Sequence, residues 1–91
     1  MRALQRANEV RLARAGLKRR IGEGAITVRE VILTCPWEVA SMPLDELLLS
    51  QHRWGTTRSR RFLAEIGLSE TKTVGSLTDR QRQELARQIA G

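Results

Sequence analysis

Apolar residues recur along the first stretch of the chain at Ala3, Ala7, Val10, Leu17 and Ile21, with Arg14 in the same line. This four-three spacing predicts one narrow packing seam on a helix. Residues 2–21 contain no proline and are rich in Ala, Leu, Arg and Lys, so the helix is expected to run to Ile21 and stop at Gly22 or Gly24. Such a helix reaches about 30 Å. Arg2, Arg6, Arg11, Lys18, Arg19 and Arg20 fall on its other faces.

The remaining pattern is a series of short helices. Thr27 followed by Glu30 is a capping-box signature ahead of Val28, Val31, Ile32 and Leu33, and Pro36 closes that helix. Trp37 and Val39 fall in a turn, with Trp37 expected to anchor the core. Pro43 suits a first helical position, followed by Asp45 and Glu46 in the first turn and by Leu44, Leu47, Leu48 and Leu49, the densest apolar cluster. After Ser50 comes Gln51-His52-Arg53-Trp54-Gly55-Thr56-Thr57-Arg58, read as a tight turn. Thr56 or Thr57 is expected to cap the next helix, with Ser59, Phe62, Leu63 and Ile66 inside, Arg58, Arg60 and Arg61 outside, and Gly67 as its stop. Residues 68–77 read as a loop with Leu68, Val74 and Leu77 turned inward. Thr78-Asp79-Arg80-Gln81 is a second capping box, opening a last helix with Leu85 and Ile89 inside. Neither a repeat nor a convincing strand alternation is present. The fold class expected is all-α: a basic N-terminal helix over residues 1–24, then a compact helical domain over residues 25–91.

Charge sharpens this picture. The net charge is +6, distributed as +5 over residues 1–24, −3 over 25–50, +3 over 51–75 and +1 over 76–91. Two basic regions separated by an acidic middle fit a polyanionic partner better than a uniformly solubilising surface does. With three aromatic residues in the chain, a base-stacking platform for single strands is poorly provided. Cys35 stands alone, which excludes an intramolecular disulfide and a cysteine zinc site and suggests a small buried or half-buried side chain. No apolar run approaches the roughly 20 residues of a membrane span, and a cytoplasmic protein is expected. His52 is the one histidine, read as a polar surface residue beside the turn, and no carboxylate couple is placed by spacing. Catalysis, metal ions and cofactors are therefore not expected.

The turn is the place where these residues could do chemistry. A helix start concentrates unpaired backbone N–H groups and the positive end of the helix dipole, a natural phosphate site. Gly55 permits close backbone approach, Thr56 and Thr57 offer hydroxyls, and Arg53 and Arg58 bracket the spot. Trp54 is read as a hydrophobic clasp of the turn in preference to a wedge into a groove. Arg61 and Glu65 have the spacing of a surface ion pair.

The stretch from Ala13 to Lys18, Gly24 to Ile32, Met42 with Leu47 and Leu48, the glycine turn, Glu65 to Leu68, and Leu77 to Arg82 together resemble actinobacterial integration host factor, in the same order along nearly the whole chain. The resemblance implies a long N-terminal helix joined to a domain with a helix-two-turns-helix element, an element shared with formamidopyrimidine-type DNA glycosylases. It also implies non-enzymatic binding of double-stranded DNA through the phosphate backbone, with little sequence preference, in the bacterial nucleoid. The DNA-binding candidates are then Arg53, Trp54, Gly55, Thr56, Thr57, Arg58 and Arg60, with Lys72, Arg80, Arg11 and Lys18. Where the family carries a Pro-Gly-Val-Gly-Lys-like turn, this chain has His52-Arg53-Trp54-Gly55-Thr56. The arginine-rich loop before the last helix is matched by Lys72-Thr73-Val74-Gly75, with one basic residue. A monomer is expected. An RNA-binding or ribosome-associated module is the main alternative, because a phosphate grip alone does not distinguish duplexes. A protein adaptor using the acidic middle is another. A glycosylase is not expected, because zinc ligands and a second domain are missing and the chain starts Met1-Arg2 where that family has a proline nucleophile.

Overall fold

The computed structural model describes residues 2–89, with side chains from residue 5 onward. The expected packing of Ala3 and outward placement of Arg2 lie outside the described side chains. Among the described residues the regular elements are helical: α1 (Arg2–Gly22), α2 (Val28–Thr34), a 3-10 turn (Trp37–Val39), α3 (Leu44–Leu49), α4 (Thr56–Ile66), a second 3-10 turn (Val74–Ser76) and α5 (Asp79–Ile89). The molecule measures 42 × 27 × 22 Å.

Local chemistry explains most boundaries. Helix α1 ends where Gly24 takes φ +80°, and the amides of Ala25 and Gly24 return to the carbonyls of Arg20 and Ile21. Only a residue free to adopt left-handed geometry closes a helix this way, which selects Gly24 over Gly22. Gly67, at φ +83°, ends α4 in the same manner, with the Leu68 amide bonded to Leu63. The Thr27 hydroxyl accepts from the Glu30 amide to open α2. At α5 both halves of the capping box form, Thr78 Oγ1 accepting from the Gln81 amide at 3.1 Å and Gln81 Oε1 from the Thr78 amide at 3.0 Å.

Helix α2 packs on α5, α3 on α4, and the second half of α1 against the first 3-10 turn. Their shared core contains Leu17, Ile21, Val28, Val31, Ile32, Met42, Leu44, Leu47, Leu48, Leu63, Val74 and Leu85, all buried. Leu68 and Leu77 join it from the loop, as expected. The first half of α1 projects: Ala7 is exposed, Val10 half-buried, and Leu12 73% exposed. The loop after α4 lies beside the approach to α3, the Lys72 carbonyl accepting from the Leu44 amide at 2.8 Å and the Gly75 amide donating to Ala40 at 2.8 Å. A Cβ on Gly75 would sit 2.7 Å from the Ala40 carbonyl oxygen, so only glycine permits this approach.

Three expectations are corrected here. Trp37 is no core anchor: its residue is 59% exposed. At three residues per turn the side chains of Trp37, Glu38 and Val39 point in three directions, and with Glu38 and Val39 buried, Trp37 faces out. Pro43 precedes the first turn of α3 as its N-cap, with φ −62° and ψ 146°, instead of occupying the first helical position. The N-cap of α4 is Gly55, not Thr56 or Thr57, which are its first two helical residues.

Candidate nucleic-acid interface

The turn between α3 and α4 is built on backbone compromise. Gln51 and Trp54 amides bond back to the carbonyls of Leu48 and Gln51, carrying the chain round, and Arg53 takes φ +72° to complete the bend. Left-handed geometry costs a residue with a Cβ about 1–2 kcal/mol. In the resembled turn a glycine stands at this position, whereas here an arginine is held in that conformation with its side chain exposed.

Trp54 supplies the restraint. Half-buried against the core, it meets the Phe62 ring edge-on, with centroids 5.3 Å apart and an interplanar angle of 86°. The Arg58 guanidinium carbon lies 4.2 Å from the centroid of the Trp54 ring. The ring is thus packed between Phe62 and Arg58 within the turn. These side chains, with Gln51, Arg61 and Glu65, line a cleft of about 350 Å³.

Gly55 contributes no side-chain cap to α4, and the first bond into the helix is from the Ser59 amide to the Gly55 carbonyl, 3.0 Å. The amides of Thr56, Thr57 and Arg58 thus precede the intrahelical ladder, at the positive end of an 11-residue helix. Arg53, Gly55, Thr56, Thr57 and Arg58 are all exposed around this point. Such a site favours an anionic oxygen, with guanidinium groups adding charge-assisted hydrogen bonds.

Not every candidate gathers there. Arg60 pairs with Glu70 at 2.9 Å, and Lys72, half-buried, belongs to the loop beside α3. Arg80 is exposed at the start of α5, on a separate cleft between α2 and α5 that it shares with Arg29 and Arg87 over Leu33 and Ile66. Within that cleft, hydrogen bonds from Gln88 and Arg87 hold the Glu84 carboxyl below the usual carboxylate range. On α1, Arg11 is exposed, but Lys18 is tied to Glu46 at 2.6 Å. His52 is exposed beside the turn, as expected.

Two cations turn out to be structural. Arg14 donates to the Glu38 carbonyl at 2.7 Å and to the Ser41 hydroxyl, which explains an arginine within the apolar line of α1. Arg82 donates to the carbonyls of Ile32, Val74 and Leu77, joining α2, the loop and α5. Arg29 and Arg87 escaped the sequence reading because nothing in their local spacing marks them. The expected Arg61–Glu65 ion pair is not formed; among the described residues the pairs are Lys18–Glu46, Arg60–Glu70 and Glu84–Arg87. An acid placed four residues after a base is the weaker orientation on a helix.

No family model matches the chain. It is 28% identical over 85 residues to the Integration host factor of Mycolicibacterium smegmatis, covering 91% of this chain and 81% of that protein. The same identity and coverage hold for the Integration host factor of Mycobacterium tuberculosis. A solved structure of sIHF bound to an 8bp palindromic DNA superposes with a TM-score of 0.83 at 27% identity, over 92% of this chain and 97% of that one. In both sequence and fold the chain is thus similar, over nearly its whole length, to the mycobacterial integration host factors.

Proposed function

We infer that this protein is a non-enzymatic, largely sequence-independent double-stranded DNA-binding protein of architectural type, acting in the bacterial nucleoid and gripping phosphates at the turn before α4. The observation that carries this reading is the near-complete likeness to a protein solved with DNA bound. The side-chain-uncapped start of α4, flanked by exposed Arg53 and Arg58, supplies matching chemistry in this chain. The acidic middle is less acidic at its surface than its composition suggests, since Glu38 is buried, Glu46 is paired with Lys18 and Asp45 accepts from the Glu46 amide, leaving Glu30 as its exposed acid without such a partner. A DNA-bound relative favours DNA over RNA.

The test is a gel shift with several unrelated duplexes, with duplex RNA as competitor. The expected result is comparable affinity across DNA sequences and weaker competition by RNA. Replacing Arg53 and Arg58 together by Glu is expected to weaken binding at least about tenfold, since two phosphate-facing charges are reversed. Helicity stays unchanged, and stability falls by no more than about 1 kcal/mol from loss of the exposed stack on Trp54. A preference of roughly a thousandfold for one duplex would overturn the sequence-independent reading. Unchanged affinity in the double variant would move the site away from the turn.

A further inference from the structure

The guanidinium of Arg58 does not extend freely from α4 but lies over the Trp54 ring, which is itself braced edge-on by Phe62. We propose that Trp54 is a positioning residue for Arg58, holding its guanidinium over the indole ring at the start of α4 so that it meets a phosphate without first being ordered. This inference rests on the phosphate-gripping reading of the turn and adds to it how the grip is set.

The physical case has two parts. A free arginine side chain loses considerable rotamer entropy when a ligand fixes it, and a preorganised one loses less. A guanidinium carries five N–H donors, and contact with one ring leaves donors for an oxygen acceptor, so the cation–π contact and phosphate binding are compatible. The same ring also holds the turn near Arg53, whose φ of +72° is unfavourable for a residue with a Cβ. A tryptophan clasp thus stands where the resembled family relies on a glycine-rich turn, and it orients a cation as it does so.

The experiment is a double-mutant cycle on the full chain, read as the dissociation constant for one unrelated duplex at fixed salt. Trp54→Met keeps an apolar side chain that can contact Phe62 but removes the cation–π face. It is expected to weaken binding about three- to fivefold. Arg58→Ala is expected to weaken it about tenfold. In the Arg58→Ala background, Trp54→Met is expected to change affinity by less than about twofold, because the residue it positions is gone. Trp54→Phe retains a π face and is expected to stay within about twofold of the parent. An equal loss from Trp54→Met in both backgrounds would overturn the proposal, assigning Trp54 a direct contact or a purely structural role. If the parent protein bound no duplex DNA, the underlying reading would fall instead. Should Trp54→Met unfold the turn, the stack is tested in a Trp37→Phe background, where Trp54 is the sole fluorophore of its kind. There Arg58→Ala is expected to shift Trp54 emission, and unchanged emission would overturn the stack itself.

Discussion

Arg53 is the residue where the proposed phosphate grip and the stability of the fold pull in opposite directions. Its φ of +72° is ordinary for glycine and costly for arginine. Arg53→Gly is therefore expected to be more stable than Arg53→Ala by about 1 kcal/mol in denaturant unfolding, while both variants bind duplex DNA more weakly than the parent. Equal stability of the two variants would mean the turn relaxes and stores no strain. Arg82 is the opposite case, a cation spent on the fold. Its donors satisfy the carbonyls of Ile32, Val74 and Leu77, and hydrogen bonds to charged groups contribute about 1.5–3 kcal/mol each. Arg82→Met is expected to lower unfolding stability by about 3 kcal/mol, whereas Arg80→Met, at an exposed position, is expected to change it by less than about 0.5 kcal/mol. Nothing in Arg80-Gln81-Arg82 as text tells the two arginines apart.

At the scale of elements, the sequence was most legible where structure is made by neighbours in the chain. The capping box at Thr78 closes over four residues, and both of its bonds form. Thr78→Ala is expected to shift the denaturation midpoint by an amount equivalent to about 1 kcal/mol, without changing the slope of the unfolding transition. A null effect would mean that packing of α5 on α2 alone sets its start. Gly67 as the stop of α4 and the inner face of Ser59, Phe62, Leu63 and Ile66 were legible for the same local reason. Trp37 was not, because composition suggests burial while the phase of a three-residue turn decides direction. The cap of α4 was misread because two threonines follow Gly55 and either could have filled the role; the bend at Arg53 sets the helix start one residue earlier.

At the scale of the whole molecule, α1 either joins the phosphate grip proposed at the turn or stays in solvent. Arg14 and Lys18 are engaged with the first 3-10 turn, Ser41 and Glu46, whereas Arg6 and Arg11 are exposed on the projecting half. Each neutralised phosphate contributes about −0.9 to the slope of log affinity against log salt, so about four to five contacts imply a slope of roughly −4. Deleting residues 1–11 is expected to make this slope shallower by roughly one to two units, while the core around Leu17 and Ile21 survives. An unchanged slope would make α1 a solvated strut. Complete loss of binding would make it the primary site and the turn an accessory.

The sequence alone determined the helical class, the order and approximate ends of the helices, most of the core apart from the exposed Ala7, Leu33, Trp37 and Leu49, and the resemblance that the comparisons bear out. These rest on periodicity and on caps spanning three or four residues, interactions decided within one turn of chain. Tertiary structure alone decided which cations are free to meet an anion. Arg82 reaches the Ile32 carbonyl across 50 positions, Lys18 reaches Glu46 across 28, and Arg14 reaches Glu38 across 24. Long charged side chains take their partners from whatever the fold brings within reach, and that depends on helix packing distant in sequence. The Trp54 ring beneath Arg58 is an intermediate case: the residues lie four apart, but Phe62 and the packed start of α4 determine that they stack.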